Sequence, residues 1–311
     1  MKGKDLLSSA DLSRDDVERL FRAAALMKAH PERFAGSLSG KSAALIFEKP
    51  SLRTRVTFEA GVFTMGGLPI YLPHEEHHLG EREAVRDVAR NLERWVSLIV
   101  ARVFSHQVLV EMADNARIPV INALSDAEHP CQALADLFTL YERRSDPASW
   151  TLAFVGDGNN VCVSLMLMAA TWGAHFRCAN PEGYRVPAAA EAEARRRAAL
   201  SGGTVEVHVD PVKAVAGVAA VYTDVWASMG QEDEAAQRER IFAPYQLNAA
   251  LLSHAGRGAL AMHCLPAHRG MEITDEVMDG PTSVVYDQAE NRLHVQKAAM
   301  HALVHGLSGV V

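Results

Sequence analysis

Ala43-Ala44-Leu45-Ile46-Phe47-Glu48-Lys49-Pro50-Ser51-Leu52-Arg53-Thr54-Arg55 opens as an apolar run and closes as a polar turn, after which Val56, Phe58, Glu59, Val62 and Phe63 follow a helical spacing. The first five residues read as a strand buried on both faces, so the segment is a strand–turn–helix unit. Its turn brings hydroxyl and guanidinium groups to the start of a helix. Unpaired backbone N–H groups and the positive end of the helix dipole favour an anion there, and arginine adds a two-pronged hydrogen-bonding fork. Ser51-Leu52-Arg53-Thr54-Arg55 is therefore a candidate anion site. The plain alternative is a capped surface helix with two solvated arginines, and other parts of the sequence decide between them.

The strand–helix pattern recurs on both sides. Residues 13–30 read as an amphipathic helix with Ser13 as N-cap, Asp15 and Asp16 in the first turn, and Val17, Leu20, Phe21 and Ala24 on one face. The short apolar runs 70–72, 98–103 and 120–122 are expected to be strands buried on both faces, separated by helices over 83–94, 105–116 and 131–143. The polar segment Arg143-Arg144-Ser145-Asp146-Pro147 is a candidate junction. Beyond it the pattern restarts with a strand at 152–155, a Leu- and Met-rich helix, further strands at 176–178, 205–207, 220–222 and 260–263, and a final helix over about 289–306. Such alternation predicts an α/β protein of two domains, each a mainly parallel sheet flanked by helices. The expected divisions are residues 1–145, 146–288 and 289–311, the last helix packing back on the first domain.

With 311 residues the chain exceeds the usual size of one core. A net charge of −7 argues against a general nucleic-acid or membrane-surface binder but leaves room for a basic pocket. Cys131, Cys162, Cys178 and Cys264 lie far apart without a CxxC pair, which fits a reducing compartment and argues against a disulfide scaffold or a zinc ribbon. Residues 1–9 lack the apolar core of a secretion signal, and no apolar run is long enough to span a bilayer. The cytoplasm is the expected location.

Four further segments follow strands and carry chemistry. Gly156-Asp157-Gly158-Asn159-Asn160 lacks the third glycine of a dinucleotide loop and the Lys-Ser/Thr of a phosphate loop, but its amides stand at a helix start. His129-Pro130-Cys131-Gln132 opens another helix, with His129 and Gln132 one turn apart. Asp224-Val225-Trp226-Ala227-Ser228-Met229-Gly230 and His263-Cys264-Leu265-Pro266-Ala267-His268-Arg269 each end a strand, where open α/β sheets place ligands. Taken singly, each has a bland reading: a helix cap, a structural histidine, a turn with an exposed acid, a buried cysteine.

Seven segments in order resemble the aspartate/ornithine carbamoyltransferases, and within them the ornithine enzymes: residues 47–55, Ala101-Arg102, residues 129–136, 156–161, 222–230, 263–266 and Asp287-Gln288-Ala289-Glu290-Asn291-Arg292-Leu293-His294. They cover nearly the whole chain. The resemblance implies a carbamoyl-phosphate domain, an ornithine domain, and a homotrimer, or a multiple of trimers, with active sites between subunits. It implies that Ser51, Leu52, Arg53 and Thr54 hold phosphate and that Arg102 bridges phosphate and carbonyl. It places His129, Gln132 and Arg292 at the carbamoyl end with Cys264 and Leu265. Asn160, Asp224, Ser228 and Met229 are implied to bind ornithine, with Arg102, His129, Asp224 and Cys264 as the catalytic group. No metal, organic cofactor, nucleic acid or membrane partner is implied. Two positions depart from the family's pattern: Leu52 stands where threonine is common, and His78 where many members have a glutamine reaching into the neighbouring subunit's site.

Transfer to ornithine in arginine biosynthesis is thus the expected activity. An aspartate enzyme calls for cations in the acceptor loops, whereas Asp224 and Ser228 suit an α-ammonium. Enzymes acting on N-acylated ornithine have less use for Asp224. The reverse, catabolic direction, a catalytically silent scaffold and a nicotinamide dehydrogenase are the remaining alternatives. The intact polar set argues against the scaffold, and the incomplete glycine loop argues against the dehydrogenase.

Overall fold

The computed structural model describes residues 1–73, 79–80, 82–227 and 234–310, so the expectations placed on His78, Ser228 and Met229 concern residues outside those described. The chain divides into two compact units, Met1–Phe138 with Glu290–Val311, and Thr139–Ala289.

In the first unit, helix α1 (Arg14–Ala29) is followed by β1 (Ser42–Phe47), α2 (Arg53–Thr64), β2 (Leu68–Pro73), α3 (Val85–Trp95), β3 (Leu98–Arg102), α4 (His106–Asn115), β4 (Val120–Leu124) and α5 (Pro130–Tyr141). The α1 N-terminus is a reciprocal capping box. Ser13 Oγ accepts from the Asp16 N–H at 3.1 Å, and the Asp16 carboxylate accepts from the Ser13 N–H at 3.2 Å. The four strands are all parallel in the order β2-β1-β3-β4. Ala44, Ile46, Ile99 and Ala101 on one sheet face pack with Val85, Ala89 and Leu92 of α3 and with Leu109 and Met112 of α4.

The second unit contains β5 (Thr151–Val155), α6 (Asn160–Trp172), β6 (His175–Ala179), α7 (Ala188–Ser201), β7 (Thr204–His208), α8 (Pro211–Val215), β8 (Ala220–Thr223), α9 (Ala235–Phe242), α10 (Ala249–Leu252), β9 (Leu260–His263) and α11 (Asp275–Met278). Its sheet is parallel in the order β7-β6-β5-β8-β9. Helix α6 is buried from Val161 to Trp172, which explains why its sequence is apolar on every side rather than along one stripe. Gly173, at φ 101°, ends it in the left-handed conformation.

Helix α12 (Val285–His305) starts in the second unit and continues through the first. Within the first unit it packs against α2 so closely that a Cβ on Gly61 would lie 3.1 Å from Met300 Cε and 3.3 Å from Lys297 Cγ. The Gly3 N–H also donates to the Leu303 carbonyl at 2.9 Å.

Two expectations change. Strand β2 is not buried on both faces: it has one neighbour, and Leu68 and Ile70 are exposed because they sit on the sheet edge. The two compact units meet along the chain at Phe138/Thr139, inside α5 and a few residues before the polar segment 143–147. The last helix begins at Val285 rather than near 289, directly after Thr282 and Val284 hydrogen-bond to Ala261 of β9. Val284-Val285-Tyr286 looks like strand because it is β-branched and aromatic, yet only its first residue pairs.

Candidate functional site

All strands of a parallel sheet end at the same edge, and the crevice there opens where successive strands run to opposite sides. In the first unit β1 leads outward to β2 while β3 leads the other way to β4, so this switch point lies between β1 and β3. The residues leaving those two strands belong to the candidate anion site. Phe47 pairs with Arg102 in register, and the ladder shifts between Ala101 and Arg102 on the β4 side. Arg102 is 8% exposed, and its Nη1 donates to Ser51 Oγ at 3.3 Å. Helix α2 starts immediately afterwards at Arg53, with Leu52 at the N-cap making no side-chain cap bond and lying 72% exposed.

Thr54, in the first turn of α2, is buried and accepts from Arg292 Nη2 at 3.0 Å. Arg292 Nη1 donates to Gln132 Oε1, and Gln132 Nε2 donates to Asp136 Oδ1 at 2.8 Å. This chain of bonds ties α2, α5 and α12 together at the polar edge of the unit. His129 immediately precedes Pro130, the first residue of α5, and is 5% exposed. Burial pushes its imidazole well below the ordinary histidine value, and the Arg292 and Arg102 charges push the same way. The ring is therefore a neutral hydrogen-bonding group among cations. Burial likewise lowers the Lys49 ammonium, with Arg102 repulsion adding to it, and Lys49 Nζ sits 4.5 Å from the centre of the Phe104 ring. Cys131 is structural: burial pushes its thiol up to about 12, and Sγ donates to the Asn122 carbonyl at 3.5 Å.

The second unit has its switch point between β5 and β8. Residues 156–160 leave β5 and Asp224 leaves β8. Asn159 is the N-cap of α6, accepting from the Val161 and Cys162 N–H groups at 3.0 Å each, and its Nδ2 donates to Asp224 Oδ2 at 2.8 Å. Cys264, just past β9, donates from Sγ to Asp224 Oδ1 at 2.9 Å. Asp224 is thus 7% exposed and oriented by two neutral donors. Asn160, singled out from the sequence, is the first residue of α6 and only partly buried. The residue that fixes Asp224 is its neighbour Asn159, which N-cap preference for asparagine could have signalled.

Leu265 adopts φ 60°, the only positive φ outside glycine among the described residues, at a cost of about 1–3 kcal/mol. Its N–H donates to His263 Nδ1 at 2.8 Å, and the other ring nitrogen of His263 meets Glu272 Oε1 at 3.1 Å. Asp224, His263 and Cys264 bring ligand-type atoms within 4.8 Å of one another. Both His263 nitrogens are already engaged, so hydrogen bonding accounts for the cluster. Arg238 joins the two loops of this unit: it donates to Asp157 at 2.7 Å and to the Trp226 carbonyl at 2.9 Å. In one unit, hydrogen bonds bring Ser51 together with Arg102, and Thr54 together with Arg292 and Gln132, with His129 within electrostatic reach of both arginines. In the other they bring together Asp224 and Cys264. Lys49 and Asp136 join them although the sequence did not single them out, and Asn159, one of the two amides read at the helix start, joins them as the cap that holds Asp224.

Two family models match the chain. The aspartate/ornithine carbamoyltransferase carbamoyl-P binding domain matches residues 4–142, and the Asp/Orn binding domain of the same family matches residues 148–303. An ornithine carbamoyltransferase of Symbiobacterium thermophilum is 50% identical over 304 residues, covering 96% of this chain and 97% of that one. An anabolic ornithine carbamoyltransferase of Pyrococcus furiosus is 46% identical over 312 residues, covering 99% and 98%. The solved structure of ornithine carbamoyltransferase from Pyrococcus furiosus superposes with a TM-score of 0.94 at 46% identity, covering 98% of each chain.

Proposed function

The chain belongs to the aspartate/ornithine carbamoyltransferase family, and we propose that it transfers the carbamoyl group of carbamoyl phosphate to the δ-amine of L-ornithine, giving L-citrulline and phosphate. The observation that selects ornithine within the family is Asp224, an acid held by neutral donors at the switch point of the second unit. It suits an α-ammonium. A second carboxylate, as in aspartate, needs a cation instead, and the nearby Arg238 and Arg269 are engaged by Asp157 and by Asp275 and Asp279. The anabolic relative supports the biosynthetic direction.

In this reading Ser51, the Leu52 N–H, Arg53, Thr54 and Arg102 hold the phosphate. Arg102, His129 and Thr54 stabilise the carbonyl oxygen, with Gln132 and Arg292 fixing that end. Asn160 and Asp224 hold the amino acid's carboxylate and ammonium. Cys264 orients Asp224, and Leu265 lines the carbamoyl end. The roles of His78, Ser228 and Met229 rest on the family's pattern alone. Ornithine's δ-amine titrates near about 10 and must be neutral to attack. Negative charge then grows on the carbonyl oxygen, where one well-aimed donor contributes about 3 kcal/mol. Departing phosphate accepts the amine's proton, so positioning and electrostatics carry the rate without a dedicated base.

A homotrimer in the cytoplasm completes the reading. Among the described residues, most of the exposed large apolar ones belong to the first unit, including Leu52, Val56, Phe63, Leu68, Ile70 and Trp95, which supports association through that unit. No helix among the described residues is long and apolar enough to cross a membrane, and the four cysteines are unpaired by disulfides. The deciding assay supplies carbamoyl phosphate with ornithine, N-acetylornithine, N-succinylornithine or aspartate and measures phosphate release and ureido product. Turnover with ornithine alone is expected. Equal use of an N-acylated ornithine overturns the ornithine assignment.

A further inference from the structure

We propose that Glu128 is a positioning residue for His129, and that residues 5–9 act through it as a working part of the carbamoyl-phosphate half-site; this rests on the function proposed above. Residues 5–9 lie along β4. The Val120 N–H donates to Asp5 Oδ1 at 2.8 Å, the Leu6 N–H donates to the Val120 carbonyl at 2.9 Å, and the Asn122 N–H donates to the Leu6 carbonyl at 2.8 Å. Leu6 is fully buried and forms a parallel bridge with Ile121. At the end of this segment the Ser8 hydroxyl donates to Glu128 Oε1, and the Ser9 N–H donates to Oε2 at 2.8 Å.

The main chain of the same residue is held from the other side. The Ser125 N–H donates to the Glu128 carbonyl at 2.9 Å, and the Glu128 N–H donates to Ser125 Oγ at 3.3 Å. Asn122 Nδ2 donates to the Leu7 carbonyl at 2.8 Å and reaches the Glu128 carbonyl at 3.4 Å. Glu128 is therefore anchored at both ends and 6% exposed, one peptide bond before His129. The placement matters because His129 is neutral. A neutral imidazole stabilises the negative charge growing on the carbonyl oxygen through one directed N–H, so a small displacement weakens it more than it would weaken a point charge. Burying a carboxylate beside an anion-binding cluster is unfavourable by itself, and its two donors from residues 8 and 9 give it an orienting task.

The test compares Glu128→Ala, Glu128→Gln and Ser8→Ala in the full chain, by kinetics and by the ¹⁵N signals of the His129 ring. Glu128→Ala should lower kcat by roughly tenfold or more with the KM for ornithine little changed. Ser8→Ala should move kcat the same way by less. Glu128→Gln keeps an oxygen for the Ser9 N–H and an amide for the Ser8 hydroxyl, so it should stay within about threefold of the wild type. The His129 ring signals should shift in the first two variants and not in the third. Unchanged kcat and ring signals with only a lower Tm overturn the proposal, leaving a structural strap. If Glu128→Ala does not fold, Ser8→Ala and Glu128→Gln decide between the same outcomes. A wild type unable to carbamoylate ornithine fails the functional reading instead, and the ring signals still report on the positioning.

Discussion

Neutral donors orient a carboxylate without cancelling its charge, and that is the arrangement around Asp224, with the Asn159 amide at 2.8 Å and the Cys264 thiol at 2.9 Å. An ammonium ligand can then claim the full negative charge. Removing the charge while keeping the shape, as in Asp224→Asn, leaves that ligand unpaired and costs about 2–5 kcal/mol. The expected outcome is a fall in kcat/KM for ornithine of roughly thirtyfold or more, with the calorimetric affinity for carbamoyl phosphate unchanged. Normal use of ornithine by this variant contradicts the assignment. At Leu52 a milder result is expected. The side chain is exposed and the backbone N–H remains whatever it carries, so Leu52→Thr should alter carbamoyl-phosphate affinity by no more than about 1 kcal/mol, the worth of one neutral hydrogen bond. Titration of the folded variant measures it. Residues such as Ser51, Arg53 and Asp224 were legible because a polar group just after an apolar run marks the end of a parallel strand. Asn159 was legible only as one of two adjacent amides at a helix start: asparagine's N-cap preference marks the pair, and the residue at which the helix begins decides which of them turns back as the cap. Arg292 was legible only through family resemblance: its bond to Thr54 spans 238 positions, and no local pattern encodes a contact of that range.

Loop backbones decide what the elements can hold. Gly158 lies where a Cβ would come 2.3 Å from the Val186 nitrogen and 2.7 Å from the Tyr184 carbonyl oxygen, and its own N–H donates to that carbonyl at 2.8 Å. Backbone cannot rotate aside as a flexible side chain can. Gly158→Ala must therefore push the loop over residues 156–160 away from residues 184–186, displacing the Asn159 cap of α6 as it does. A destabilisation of about 1–3 kcal/mol is expected, with ornithine affinity lost and carbamoyl-phosphate affinity kept. Hydrogen exchange of the α6 amides and paired titrations check it; undisturbed exchange in α6 contradicts the argument. The buried strands and amphipathic helices were readable at this scale because their apolar residues repeat with the period of the element. The short helices α10 and α11 carry too few turns for a period to show, whereas α8 had a readable start in Asp210-Pro211, where Asp210 caps the Val212 N–H at 2.9 Å. Edge position was hidden as well: β2 looks as apolar as β3, and only the sheet order tells that one is flanked on a single side.

Across the whole molecule, acidification should act first on buried histidines. Burial holds His129, His294 and His301 below the ordinary histidine value, with Arg292 and Arg102 adding to the effect at His129, Lys28 at His294, and His305 at His301. A depressed pKa means that the unfolded chain takes up protons the native one refuses. Their contribution is therefore fully present above about pH 6.5 and is lost as the pH falls below it toward each folded value. Asp5 and Asp157 work in the opposite sense, since burial raises their carboxyl groups, but their protonation belongs to the carboxylate range. Between pH 7.5 and 5.5 the histidines should dominate, at no more than about 1.4 kcal/mol per pH unit for each proton. His301 isolates the effect away from the candidate site. Its ring lies edge-on to Phe34 with centroids 5.9 Å apart, and its Nδ1 is buried without a hydrogen-bond partner. His301→Phe keeps an aromatic ring against Phe34 and removes both the titration and the unsatisfied nitrogen. The variant should match or exceed the wild type in Tm at pH 7.5 and lose less Tm on transfer to pH 5.5. An equal loss in both proteins would show that His301 protonates as readily folded as unfolded.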